Sequence, residues 1–312
     1  MEHKTQKIVT AFLVALAVIG GFEIIINIIN LNQPVLYLQA AFVVYFALLF
    51  LMGFLFDLHF KNRGSWQRAK LKHRSVIGRL QRAFKISAEA FWDRVSHLRN
   101  WQYFTLLLDF LILPSFIYWA TVSLFYVNLG NIQTQQLALW LSSAALILNY
   151  WYMHEAFHRK KEIVDSDIFV VLAVVKIYTA AVLFAASLSF LKYYCLEPSY
   201  FVLEIFCFTF LLIYQALFQH RLVNFKNIAI DFGISLVMAI IGYYVYVLWG
   251  FNYFTAAIFL AVCYNIFWGT FHYYLDRSLT LKAFLEVLFI SLFIAAMVIS
   301  TTNFRAQIIG GC

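Results

Sequence analysis

The stretch PVLYLQAAFVVYFALLFLMGFLF at residues 34–56 decides the fold class of this chain. It contains no charged residue, and it is long enough to cross the hydrocarbon core of a bilayer, which takes about 20 helical residues. Similar runs recur along the whole chain, which is 63% apolar and only 12% charged. A soluble domain is about half apolar and about a quarter charged. The composition therefore predicts a polytopic, all-α integral membrane protein.

Nine membrane-spanning helices are predicted, in a single transmembrane domain over residues 1–312. Several connections between them are short and polar, which implies antiparallel neighbouring helices. The predicted spans are 8–30, 34–56, 102–128, 135–157, 168–191, 198–219, 227–249, 252–274 and 280–300.

Lysine and arginine are distributed very unevenly between the two predicted faces. With the N-terminus in the cytoplasm, twenty basic residues fall on the cytoplasmic side, and only Lys192 and Arg305 fall on the outer side. Cytoplasmic loops of membrane proteins carry such an excess. We therefore expect a cytoplasmic N-terminus, a C-terminus outside, and a location typical of a bacterial inner (plasma) membrane. The net charge of +8 reflects this bias and does not indicate nucleic-acid binding.

The only long segment outside the predicted spans is a basic loop at 57–101. Its apolar residues recur at close to helical spacing among Arg and Lys. A basic amphipathic helix of this kind lies in the interface against anionic lipid headgroups. An ordinary cytoplasmic linker and a protein-docking surface are the alternatives.

Several ionisable residues are predicted to lie inside the bilayer, where an unpaired charge costs a few kcal/mol or more. Lys176 and Asp109 lie at similar depth in the cytoplasmic half, and we expect them to form a buried charge pair. Asp231 and Glu286 are further carboxylates in that half. The alternative is that these groups only stabilise helix packing.

Histidines end several spans at the predicted cytoplasmic boundary. HEAFH at 154–158 and FHYYLD at 271–276 each place two polar residues four apart, and His220 ends another span. Residues four apart share a helix face and can bind one metal ion. The hypothesis is an iron or zinc site, with Glu155 or Asp276 as a base or supporting carboxylate. Its predicted metal ligands are His154, His158, His220 and His272.

The same histidines could instead bind a haem or lie in the interface alone. Imidazoles on two helices can be the axial ligands of a haem. Histidine is also favourable at the C-terminal end of a helix because of the helix dipole, so these residues could be interfacial only.

The histidine set resembles that of the histidine-rich membrane iron enzymes, which include fatty-acid hydroxylases, desaturases and bacterial carotene-cleaving dioxygenases. This resemblance implies an oxidoreductase whose lipidic substrate enters from the bilayer. The H-x-x-H-H boxes of hydroxylases and desaturases are absent from this chain.

HEAFH also resembles the metal motif of the site-2 intramembrane metalloproteases, and Leu275-Asp276 resembles the start of their L-D-G element, with Arg277 in place of Gly. Glu155-x-x-x-Arg159 is similar to half of the E-E-x-x-x-R motif of CAAX-processing membrane proteases, and His272-x-x-x-Asp276 is similar to their H-x-x-x-N/D motif. His154 stands where the first Glu of that family should be. These resemblances imply an intramembrane protease.

A non-enzymatic transporter and a subunit of a larger membrane complex are the remaining classes. Transporters commonly use helices interrupted by Gly and Pro, whereas this chain has three prolines and twelve glycines. Among the four cysteines, Cys195 and Cys312 fall on the predicted outer side, where an oxidising compartment permits a disulfide.

Overall fold

The computed structural model describes residues 2–31, 33–60, 101–158, 166–219, 222–249, 252–275 and 278–302, and three single positions between 60 and 101. Side chains are described for a smaller set, which begins at residue 11 and leaves out 53–60, 101–110, 152–170, 172 and 218–219. These parts of the chain contain helices and no strands. The helices are α1 Glu2–Asn30, α2 Pro34–Phe60, α3 Trp101–Val127, α4 Ile132–His158, α5 Ser166–Tyr193, α6 Pro198–Gln219, α7 Phe225–Leu248, α8 Tyr253–Leu275 and α9 Leu281–Thr301.

Seven of the described helices are long and apolar enough to cross a membrane. These are α1, α2 and α5–α9, so the predicted polytopic helical architecture is confirmed. The apolar part of α3 within the described residues is the shorter stretch Leu111–Val127. Helix α4 has the predicted position, but Gln, Ser and Asn residues lower its hydropathy. Gln135, Ser142, Ser143 and Asn149 of this helix are all buried.

Local hydrogen bonds from residues in the short connections cap the starts of two helices. The side chain of Asn224 accepts a hydrogen bond from the backbone N–H of Asn227 at 2.8 Å, and Thr280 accepts one from Ala283 at 3.2 Å. Both are N-caps, which satisfy backbone donors that the first turn leaves without partners. Between α3 and α4, Gly130 adopts a φ of 84°, a conformation that glycine reaches without steric cost.

The described chain divides into two compact units. The first comprises residues 1–111 and 146–169, and its main packing is between α1 and α2. Buried residues of α1 recur every three or four positions, as a helix face requires; they include Val14, Val18, Phe22, Ile25 and Ile29.

The second unit comprises residues 112–145 and 170–312. Helices α6 and α7 pack closely, because Gly242 leaves room for Ile205 and Phe201. Helices α8 and α9 also pack together, and Asn265 donates to Ser291 across them at 3.3 Å. Much apolar surface remains exposed, and only 6% of the apolar part of α9 is buried. In an integral membrane protein this surface contacts the lipid bilayer.

The predicted interfacial helix at 57–101 lies outside the described residues, except for the end of α2 and the single positions. That prediction, with its anionic lipid partner, therefore stays a prediction.

Candidate functional site

The HEAFH motif lies in the last two turns of α4, where the backbone is helical as predicted. The side chains of His154, Glu155 and His158 fall outside the described residues. His220 and Asp276 also lie outside them. Of the four predicted metal ligands, only His272 has a described side chain.

His272 lies in the last turn of α8 and is half-buried. Its imidazole ring stacks on the indole of Trp268, with ring centroids 5.4 Å apart and an interplanar angle of 29°. The Nδ1 atom of His272 is buried. This ring therefore packs partly into the protein. A purely interfacial histidine would lie wholly among the headgroups.

No group of three or more His, Cys, Asp or Glu residues that could hold a metal ion occurs within the described part of the chain. The side chains of three of the four predicted ligands lie outside that part. The predicted iron or zinc site, and the alternative haem site, therefore stay predictions.

Lys176 is buried in α5, with only 2% of its surface exposed. Its ammonium group lies over the ring of Trp268, 5.3 Å from the centroid. A lysine in this position is attracted by the negative face of the indole, and the attraction is strongest where water is excluded. The predicted partner Asp109 is helical, but its side chain lies outside the described residues, so the Asp109–Lys176 pair stays a prediction.

Asp231 is fully buried in α7, in a polar stripe with Asn227 one turn before it and Ser235 one turn after it. The Oδ1 atom accepts a long hydrogen bond of 3.4 Å from the hydroxyl of Ser235. The Oδ2 atom is buried and has no hydrogen-bond partner among the described residues, which also supply no ion pair to this carboxyl.

Tyr264 of α8 lies close enough to Asp231 for the two side chains to interact electrostatically. Its side chain is fully buried, and its hydroxyl has no hydrogen-bond partner in the described part of the protein. Buried hydroxyl and carboxylate oxygens are nearly always hydrogen-bonded, to protein or to water. Among the described residues, these two oxygens are exceptions to that rule, and they lie on neighbouring helices.

Glu286 provides a contrast to Asp231. It lies in α9 with 61% of its side chain exposed, and it faces Lys282 one turn earlier at 3.9 Å. Both carboxylates were predicted in the cytoplasmic half of the membrane, but only Asp231 is inside the bundle.

We name Lys176, Asp231, Tyr264, Trp268 and His272 the inner polar cluster. At a rise of about 1.5 Å per residue, Lys176 and Asp231 each lie ~25 Å from the predicted outer end of their helices. Trp268 and Tyr264 are one turn apart on α8, and His272 follows one turn later.

Lys176, Asp231 and His272 are candidates from the sequence alone, whereas Tyr264 is not among them. The spacing of Tyr264, Trp268 and His272, four apart on one helix, was the available signal.

Comparison with known proteins identifies no relative: no protein-family model, no curated protein and no solved structure matches this chain. The observations establish a helical membrane protein, and its function must be argued from the inner polar cluster.

Proposed function

We propose that this chain is a membrane carrier that binds and releases a proton or a small cation at Asp231. The observation that supports this function is the full burial of the Asp231 carboxyl, whose Oδ2 atom has no partner among the described residues. An ionised carboxylate in such a place costs several kcal/mol, about the penalty of an unpaired buried ion. The Asp231 carboxyl must therefore carry a proton or a bound cation. A coupled carrier works by exchanging a proton for a cation at such a carboxyl.

The neighbours of Asp231 suit that exchange. The hydroxyls of Ser235 and Tyr264 are uncharged oxygens that can donate to a carboxylate or coordinate a hard cation. The positive charge of Lys176 is held over the ring of Trp268 and not by the carboxyl of Asp231. The described helices α5, α7 and α8 are continuous here, so the site depends on side chains and not on broken helices.

Proton flux in liposomes tests this function. The purified protein is reconstituted with a pH-sensitive dye inside, and a potassium diffusion potential drives proton entry. We expect uptake that falls at least about tenfold in Asp231→Asn, which keeps the shape of the side chain but cannot ionise. Glu286→Gln is the matched control, because it neutralises an exposed carboxylate, and it should keep the flux. Isotopic sodium uptake measured on the same vesicles separates a proton from a cation.

The proposal fails if the wild-type protein carries neither protons nor sodium, or if Asp231→Asn carries them at the wild-type rate. Labelling gives an independent measure. An apolar carbodiimide reacts with protonated carboxyl groups inside a bilayer, so its adduct should map to Asp231 and be lost in Asp231→Asn.

A metal-dependent membrane enzyme acting on a lipidic substrate is the second candidate. The observation in its favour is the His272 ring, which packs against Trp268 with Nδ1 buried. Metal analysis of the purified protein tests it. Stoichiometric iron or zinc that is lost in His154→Ala and His272→Ala, and kept in His73→Ala, would favour the enzyme, and a haem absorption band would favour axial histidines. Metal-free wild-type protein would exclude this candidate.

A further inference from the structure

The predicted outer end of the second unit contains a lysine that joins two helices. The ammonium group of Lys192, in the last turn of α5, donates a hydrogen bond of 2.7 Å to the backbone carbonyl of Trp249. It also lies 5.5 Å from the centroid of the Tyr246 ring. Trp249 is the C-cap of α7, and the last carbonyls of a helix have no partner within it. A positive charge is favourable at that position because of the helix dipole.

Two further bonds tie neighbouring segments to the same place. The hydroxyl of Tyr246 donates to the carbonyl of Leu196, in the connection that precedes α6, at 2.8 Å. The indole N–H of Trp249 donates to Thr255 in the first turn of α8 at 3.0 Å. We name Lys192, Tyr246 and Trp249 the outer clasp. The outer clasp includes the ends of α5 and α7, and it is bonded to the connection before α6 and to the start of α8.

The outer clasp contrasts with the inner polar cluster. At the outer end, the polar groups of Lys192, Tyr246 and the Trp249 indole all have hydrogen-bond partners, whereas Asp231 and Tyr264 deeper in the same unit have buried oxygens without partners among the described residues. Lys192 is also one of only two basic residues on the predicted outer side. The bond from Lys192 to the Trp249 carbonyl explains why a lysine lies on the face that has few basic residues.

We infer that the outer clasp is a gate that closes the route between the predicted outer face and Asp231. This inference rests on the proposed carrier function, and it adds the regulation of access to the same site. Opening the outer end requires α5 and α7 to separate there, which breaks the bond from Lys192 to the Trp249 carbonyl. In the structure the gate is closed.

Access is measured with a thiol placed below the clasp. Thr209→Cys is introduced into a Cys207→Ser, Cys263→Ser background. Thr209 is fully buried, and it lies ~16 Å from the predicted outer end of α6, which packs against the helix of Asp231. A membrane-impermeant methanethiosulfonate reagent is added outside sealed right-side-out vesicles. We expect Lys192→Met to speed its modification about tenfold or more, the factor expected from losing a charge-assisted hydrogen bond.

Three matched variants make the result specific. Lys192→Arg keeps the charge and the donors, and it should retain slow modification. Tyr246→Phe removes only the hydroxyl bond to Leu196, and it should give an intermediate rate. Lys226→Met removes a lysine that lies over Tyr274 at the other end of the unit, 5.6 Å from its ring centroid, and it should change nothing.

Equal rates, within about twofold, in the wild-type and Lys192→Met proteins would overturn the gate. The same holds if Lys226→Met speeds modification as much as Lys192→Met. The proposed carrier is judged separately by the Asp231→Asn flux. A fast Lys192→Met rate without flux in any variant keeps the gate and rejects the carrier, and the opposite result keeps the carrier and rejects the gate.

Discussion

The ammonium group of Lys176 and the indole ring of Trp268 lie 5.3 Å apart, and both side chains are buried. The same ring stacks on the imidazole of His272. Trp268 is therefore a residue of α8 that contacts the buried charge of α5. A desolvated cation–π contact of this kind is worth about 2 kcal/mol.

Replacing the indole of Trp268 should show how much its contact with Lys176 contributes to stability. We expect Trp268→Leu to lower the free energy of unfolding by about 3 kcal/mol, because it removes both buried ring volume and the contact with Lys176. Trp268→Phe keeps an aromatic face and should cost less. The measurement is reversible unfolding in mixed micelles. A double-mutant cycle of Trp268→Leu with Lys176→Met should give a coupling of about 1–2 kcal/mol, and additive effects would refute a direct contact.

The hydroxyls of Thr121, Ser142 and Tyr178 join α3, α4 and α5 in a short hydrogen-bonded chain. The oxygens of Thr121 and Ser142 are 2.6 Å apart, and those of Ser142 and Tyr178 are 2.7 Å apart. Ser142→Ala should lower stability by about 1–3 kcal/mol, because it leaves the Tyr178 hydroxyl without its partner. Thr121 keeps its bond to the carbonyl of Ile117.

Removing both partners should then cost less than removing one. We expect Ser142→Ala with Tyr178→Phe to be no less stable than Ser142→Ala alone, because no hydroxyl is left unsatisfied. Ser143→Ala is the matched control, since Ser143 is equally buried and its hydroxyl has no partner among the described residues. It should be nearly neutral. A double variant that loses the sum of both single losses would contradict the shared chain.

Cys195 is disulfide-bonded, whereas Cys207 and Cys263 are free. Cys312, the other cysteine on the predicted outer side, is the partner that the sequence predicts for it. We expect the oxidised protein to run faster than the reduced protein on a denaturing gel, because the bond closes a loop that contains α6–α9. Cys195→Ser should abolish the difference, and Cys207→Ser should keep it. An impermeant reductant added outside the cell should remove the bond, whereas reduction only from inside would reverse the predicted orientation.

The positions of the described helices could be predicted because the bilayer requires long apolar runs, and N-capping residues such as Asn224 and Thr280 mark where two of them start. The face of each helix that packs in the protein interior could not be predicted in the same way. Lipid and protein interior are both apolar, so apolar residues surround each helix and the periodic signal is weak. Asp231 and Glu286 lie at similar depths in the sequence pattern, yet one is buried and the other exposed.

The candidate site shows the same limit. Depth alone suggested a partner for Lys176 and could not indicate that Trp268 lies beneath its ammonium group. The absence of a described partner for the Oδ2 atom of Asp231 is likewise visible only in three dimensions. Composition and charge predicted which ionisable residues lie within apolar helices, while contacts between helices decide which of them can function together.

Helices α6 and α7 pack closely because Gly242 has no side chain. A Cβ atom at this position would lie 3.2 Å from Cγ1 of Ile205 and 3.4 Å from the ring of Phe201. Gly242→Val should therefore lower the free energy of unfolding by about 1–3 kcal/mol through overpacking. Gly233 lies in the same helix, and no atom lies within 4 Å of the position that a Cβ atom would take there. Gly233→Ala is therefore the matched control and should be neutral or slightly stabilising.

Adding Ile205→Ala to Gly242→Val should recover part of the loss, because it removes the atom that the new side chain meets. Two results would contradict this prediction: Gly242→Val unfolds at the same denaturing-detergent concentration as the wild-type protein, or Ile205→Ala lowers the stability of Gly242→Val further. Either result would mean that the contact between α6 and α7 does not limit the size of residue 242.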